Sequence, residues 1–214
     1  GTAAAALLAA CAEDEIILRG EREDIRPEAS AEIENQSRSI SLPQQSVNTS
    51  WAQGHGDEAY RTAHPALSAA PQPIWSTSIG SGDSRRQRIT APPVVGGGRI
   101  YTLDSGATVS AVSPQGQVIW QSKLIPAADD EGQATGGGLA FADGVLYISS
   151  GFGVLTALDA ASGNTIWRQE LEATGSGQPR VSGGLVYLVA GDDTGWAVNT
   201  KDGRIAWQIE ASPT

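Results

Sequence analysis

Four tryptophans, Trp75, Trp120, Trp167 and Trp207, recur at intervals of 45, 47 and 40 residues. Tyr101, Tyr147 and Tyr187 recur in step, each 19 or 20 residues ahead of its tryptophan. Self-similarity at this period belongs to repeat architectures, in which each unit buries its apolar surface only against its neighbours. Aligning on these residues gives three copies: Val94, Tyr101, Val112 and Gly116 before Trp120; Leu139, Tyr147, Leu158 and Gly163 before Trp167; Val181, Tyr187, Val198 and Gly203 before Trp207.

Each copy holds four short β-branched or aromatic runs separated by glycine-containing turns such as Asp143-Gly144, Gly183-Gly184 and Asp202-Gly203. That is the pattern of consecutive hairpins. The runs 145–148 and 185–189 do not alternate apolar with polar, so their strands are expected to be buried on both faces. Four-stranded antiparallel units of this length, each sandwiched by its neighbours, are the blades of a β-propeller. The expected fold is therefore all-β: a partial propeller over 73–214 with blades near 89–126, 136–173 and 177–212, plus one strand of a preceding blade ending at Trp75. A β-sandwich with coincident spacing is the competing architecture.

At about 41 residues per blade, an eight-bladed ring needs roughly 330 residues in blades alone. The chain contains no methionine and reads as part of a longer protein. Its third blade is expected to leave one face bare.

The N-terminal third is different. Residues 1–11 are small and apolar, end in Leu8-Ala9-Ala10-Cys11, and are too short to span a membrane, so they read as the end of a secretory signal. Residues 12–38 form an acidic tether, with nine acids against Arg19, Arg22 and Arg26 between 12 and 34. Residues 39–72 are a Ser-, Gln-, Pro-, Ala- and His-rich lead-in, whose one candidate strand is an edge strand at 39–47. His55 and His64 lie in this loop-like stretch without a carboxylate or third ligand beside them, and are read as surface residues.

A net charge of -10, from 24 acidic and 14 basic side chains, argues against a nucleic-acid surface. Cys11, the single cysteine, excludes an intrachain disulfide. Asp192-Asp193 reads as a hairpin turn, since two carboxylates fall short of a calcium ligand set, and Asp129-Asp130-Glu131 as a solvated inter-blade loop. Arg85, Arg86 and Arg88 form the only basic cluster. No nucleophile, base or ligand cluster stands out, so neither catalysis nor a cofactor is expected.

In the stretch 157–167, Asp159 heads a tight turn where its carboxylate can accept turn N–H bonds, Gly163 sits where φ is expected to be positive, and Trp167 opens the outer strand. Ala157, Asp159, Gly163 and Trp167 closely resemble the tryptophan-docking motif of the pyrroloquinoline-quinone-type propellers. Trp120 and Trp207 close looser copies, the first of them one residue short. Leu8, Ala9, Ala10 and Cys11 resemble the lipobox of bacterial lipoproteins, in which the cysteine thiol is alkylated with a diacylglycerol.

With the tether and Trp51-Ala52-Gln53-Gly54, these features are similar to the BamB family of outer-membrane β-barrel assembly lipoproteins. The resemblance implies a non-catalytic scaffold lipid-anchored through Cys11 at the periplasmic face of the outer membrane. Its partners would be the central barrel subunit of the assembly machinery, met through propeller loops, and nascent outer-membrane proteins. The same repeats also occur in quinone-dependent periplasmic dehydrogenases, whose cofactor lies under a disulfide between adjacent cysteines near bound calcium. This chain has no second cysteine. A propeller sensor or binding module is the third reading.

Overall fold

Backbone chemistry at six turn residues sets the repeat. Gly97 and Gly98, Asp143 and Gly144, and Gly183 and Gly184 all have positive φ, between 49° and 78°. A two-residue loop with both central φ positive is the type I′ turn, whose twist matches that of the strands it joins. Glycine adopts it without a Cβ penalty, and Asp is among the residues that tolerate it best.

The computed structural model describes residues 36–59, 62, 64–171, 173 and 177–210. Within them the turns organise three four-stranded antiparallel sheets. Blade 1 is β1 (Val94–Gly96), β2 (Arg99–Leu103), β3 (Thr108–Val112) and β4 (Val118–Lys123). Blade 2 is β5 (Gly137–Ala142), β6 (Val145–Ser150), β7 (Val154–Asp159) and β8 (Thr165–Glu170). Blade 3 is β9 (Arg180–Ser182), β10 (Leu185–Val189), β11 (Thr194–Asn199) and β12 (Ile205–Glu210). Strand order within each sheet follows the chain, and each third strand carries a register shift at the same place, after Ala111, Ala157 and Ala197. The fold is all-β, three blades of a propeller.

The core lies between blades, as two-sided burial of β6 requires. Tyr101, Val109, Leu139, Leu146, Ile148 and Leu158 fill the space between blades 1 and 2. Tyr147, Leu155, Val186, Leu188, Trp196 and Val198 fill the space between blades 2 and 3. The outer strands β4 and β8 instead show one half-buried side in an otherwise exposed pattern, and their half-buried positions include Trp120 and Trp167.

The lead-in carries less regular structure than its sequence suggested. The edge strand expected at 39–47 is a single parallel bridge between Ser46 and Pro65, because the surrounding residues are exposed and have no neighbouring strand among the described residues to complete a ladder. His64 donates from Nδ1 to the Pro43 carbonyl at 2.8 Å, closing the same loop. By contact density the chain divides into Gly1–Ser41 and Leu42–Thr214, and in the first unit the described residues 36–41 are exposed without regular secondary structure.

Residues 74–81 take the place of the outer strand of a preceding blade without ladder bonds. They follow blade 1 from Trp75, whose Nε1 donates to the Pro114 carbonyl at 2.9 Å, to Ser81, whose N–H donates to Asp104 at 2.7 Å.

Two outcomes are expected. Leu158→Ala, at a fully buried position between two blades, should cost about 2–5 kcal/mol in denaturant unfolding. The outer side of blade 3 exposes Val189 (58%), Trp207 (46%) and Ile209 (63%). The chain should therefore self-associate with rising concentration in sedimentation velocity, and replacing Val189 and Ile209 by Lys should suppress it.

Candidate functional site

The turns joining third to fourth strands form a docking device repeated along the arc. The Trp75 indole lies over Gly116, Trp120 over Gly163 and Trp167 over Gly203; a Cβ added to these glycines would stand 2.6, 2.6 and 2.7 Å from ring carbons. Their φ values are 83°, 76° and 74°. Positive φ and ring contact together therefore restrict each position to glycine.

Each indole N–H then donates to an equivalent carbonyl in the turn: Pro114 at 2.9 Å, Ala160 at 3.2 Å and Thr200 at 2.9 Å. The one-residue shortening of the first copy appears as a tighter turn. Gly116 N–H bonds Ser113, three residues back, whereas Gly163 and Gly203 bond Asp159 and Asn199, four back.

Asp159 accepts from Ser162 Oγ at 2.6 Å and from Ser162 N–H at 2.8 Å. The Ser162 hydroxyl, followed by its N–H, holds the Asp159 carboxyl below the usual carboxylate range. Ala157 is fully buried opposite Trp167 in the ladder. Each tyrosine of the repeat tilts against its own tryptophan at 5.9 to 6.0 Å between ring centres. Tyr101 also donates to the Ala160 carbonyl at 3.1 Å, the acceptor Trp120 uses, and Arg99 donates to the same oxygen at 3.0 Å. Burial pushes the Tyr101 and Tyr147 hydroxyls above their ordinary value. Among the described residues no turn covers Trp207.

The two ends of the arc differ. At the turn end, where the type I′ hairpins and docking turns lie, the segment 51–58 crosses all three blades: Trp51 pairs with β1, Ala52 with β5 and Gln53 with β9. Trp51-Ala52-Gln53-Gly54 was legible as a motif, but its partners Gln178 and Arg180 in the third copy were not.

At the opposite, link end lie the inter-blade loops and the turns joining second to third strands. Asp104, 4% exposed, accepts backbone N–H bonds there from Ser81, Gly106 and Thr108, which offset its desolvation. Asp192 accepts from the Thr194 N–H at 3.1 Å in the corresponding hairpin turn of blade 3.

The basic loop at 85–88 is tied to the segment that follows the acidic loop at 129–131, with Arg88 N–H donating to Thr135 Oγ1 at 3.0 Å. Arg88 pairs with Asp83 at 3.6 Å and Lys123 with Glu131 at 2.8 Å, all exposed, while among the described residues Arg85 and Arg86 have no ion-pair partner. No group of three or more His, Cys, Asp or Glu able to hold a metal occurs among the described residues. Leu8, Ala9, Ala10 and Cys11 lie outside the described residues.

Three blades welded by tryptophan on glycine define a propeller of the quinone-type repeat class. Residues 105–214, just over half of the chain, match the family described as outer membrane protein assembly factor BamB, and the chain belongs to that family. The BamB protein of Yersinia pestis is 27% identical over 145 residues, covering 65% of this chain and 37% of that protein. Its counterpart in Salmonella typhimurium is 31% identical over 122 residues, covering 55% and 31%. The chain thus spans about a third of the length of these relatives. Among solved structures, quinohemoprotein alcohol dehydrogenase from Comamonas testosteroni superposes with a TM-score of 0.60 at 24% identity, covering 75% of this chain and 27% of that one. That is a likeness of fold.

Gly163→Ala should destabilise the protein by about 1–3 kcal/mol through its positive φ, with further loss from displacing the Trp120 ring; calorimetry checks it. The depressed Asp159 value gives a signed pH dependence. Its contribution is complete above the ordinary value of 3.8 and is lost as pH falls through the depressed folded value. The stability gap between wild type and Asp159→Ala should therefore close on acidification in that window.

Proposed function

We propose that this chain belongs to a non-catalytic scaffold lipoprotein of the machinery that assembles β-barrels in the outer membrane. The observation that carries the reading is the family match over residues 105–214. The geometry supports it: each pair of blades is joined by a buried apolar layer and an indole-to-carbonyl bond, which suits a platform that presents loops in fixed positions. Cys11, alkylated with diacylglycerol, would hold the platform at the periplasmic face and raise its local concentration near its partners.

The docking face in this reading is the link end, because the segment 51–58 already occupies the inner strands at the turn end. The link end carries a basic loop with Arg85, Arg86 and Arg88 and an acidic one with Asp129, Asp130 and Glu131. Such a pair orients a partner carrying the complementary pattern and speeds its capture. The partner proposed is the central barrel subunit, with nascent outer-membrane proteins as transient clients. The chain has no cysteine besides Cys11, which sets it apart from the adjacent-cysteine pattern of the quinone enzymes.

In the full-length lipoprotein, Arg85→Glu with Arg86→Glu should reduce recovery of the central barrel subunit in pulldowns about tenfold, with the loss growing at low ionic strength. Recovery equal to wild type would sink the link-end assignment, and failure of the wild type to recover any assembly subunit would sink the function. Cys11→Ser should move the protein from the membrane to the soluble periplasmic fraction.

A further inference from the structure

Three consecutive residues of one segment meet the same position in three consecutive blades. Val95, Phe141 and Val181 each lie two residues ahead of the first residue of a type I′ turn, at Gly97, Asp143 and Gly183. All three are on innermost strands, whose inner edge has no strand beside it among the described residues. Trp51 and Val95 exchange both backbone hydrogen bonds at 2.8 Å, and the Ala52 carbonyl accepts from Phe141 N–H at 2.6 Å.

At the third blade the backbone no longer serves. The segment folds back on itself, with Gly56 N–H bonding the Gln53 carbonyl at 2.9 Å and Ala52 N–H bonding the Gly56 carbonyl at 3.0 Å. The Gln53 side chain continues in its place. Its Oε1 accepts from Val181 N–H at 2.8 Å and its Nε2 donates to the Val181 carbonyl at 3.4 Å. A carboxamide offers the same donor and acceptor as a peptide group, so Gln53 completes the pairing as another strand residue would. Gln53 is 4% exposed, which makes these bonds costly to leave unmade. Blade 3 reaches back in turn: Arg180 donates to the Gly54 and Asp57 carbonyls, each at 3.0 Å, and the Ser182 hydroxyl bonds Glu58.

We infer that residues 51–58 are a latch that caps the inner edges of β1, β5 and β9 and fixes the third blade through the length of the Gln53 side chain. Closed, it denies these edges to any added strand. Lifted, it frees blade 3 first, because that blade is held by side-chain bonds where the first two are held through backbone groups of the segment.

Amide exchange measured on this 214-residue chain tests the latch with two variants. Gln53→Asn keeps the carboxamide but is one methylene shorter, and should speed exchange at Val181 about tenfold while β6 and β7 amides stay unchanged. Gln53→Met keeps the length but offers Val181 neither the amide acceptor nor the donor, and should speed its exchange at least as much. Either variant indistinguishable from wild type, or acceleration spread equally through β6 and β7, would overturn the latch.

Discussion

Everything in this arc depends on an indole lying flat over a glycine in the next repeat. A blade is too small to bury both its faces, and a stack of blades is stable only if each interface is specified. The aliphatic layers between sheets supply most of the buried area but little direction. Trp75, Trp120 and Trp167 supply direction, since each N–H finds the carbonyl immediately after the turn's leading residue. The glycines at 116, 163 and 203 are needed twice, for positive φ and for ring contact, so no single substitution preserves both.

That device also explains where the surface is unfinished. Trp207 has Tyr187 against it, as Trp120 has Tyr101 and Trp167 has Tyr147, but no described turn lies over it, and the residues beside it on blade 3 are exposed. At the other side of the arc, Trp75 completes its docking even though residues 74–81 are in no sheet. The interaction is therefore local to a ring and a turn, and does not require an intact blade behind it.

The sequence made the repeat legible because its signals are periodic: tryptophan, tyrosine, paired turn residues and non-alternating apolar runs. The shortened first turn was visible as one missing residue, and the structure converts it into a three-residue closure at Ser113. Less was legible where a contact is made once. The pairing of Gln53 with Val181 joins residues 128 apart through a side chain, and no period announces it. Asp104 carried a usable signal, an Asp two residues before a glycine in a turn, but its bond to Ser81 depends on a segment without regular structure. The edge strand at 39–47 was read from local composition, which does not say whether a neighbour is present to pair with it.

A rigid platform is what the proposed scaffold role requires, and rigidity here means that blades unfold together. Scanning calorimetry of the dilute chain tests this most directly, by comparing the calorimetric enthalpy with the van't Hoff enthalpy of the same transition. The account predicts one transition with a ratio near one. Separate transitions, or a ratio approaching three as for independent blades, would show that tryptophan docking does not weld the repeats and would contradict it.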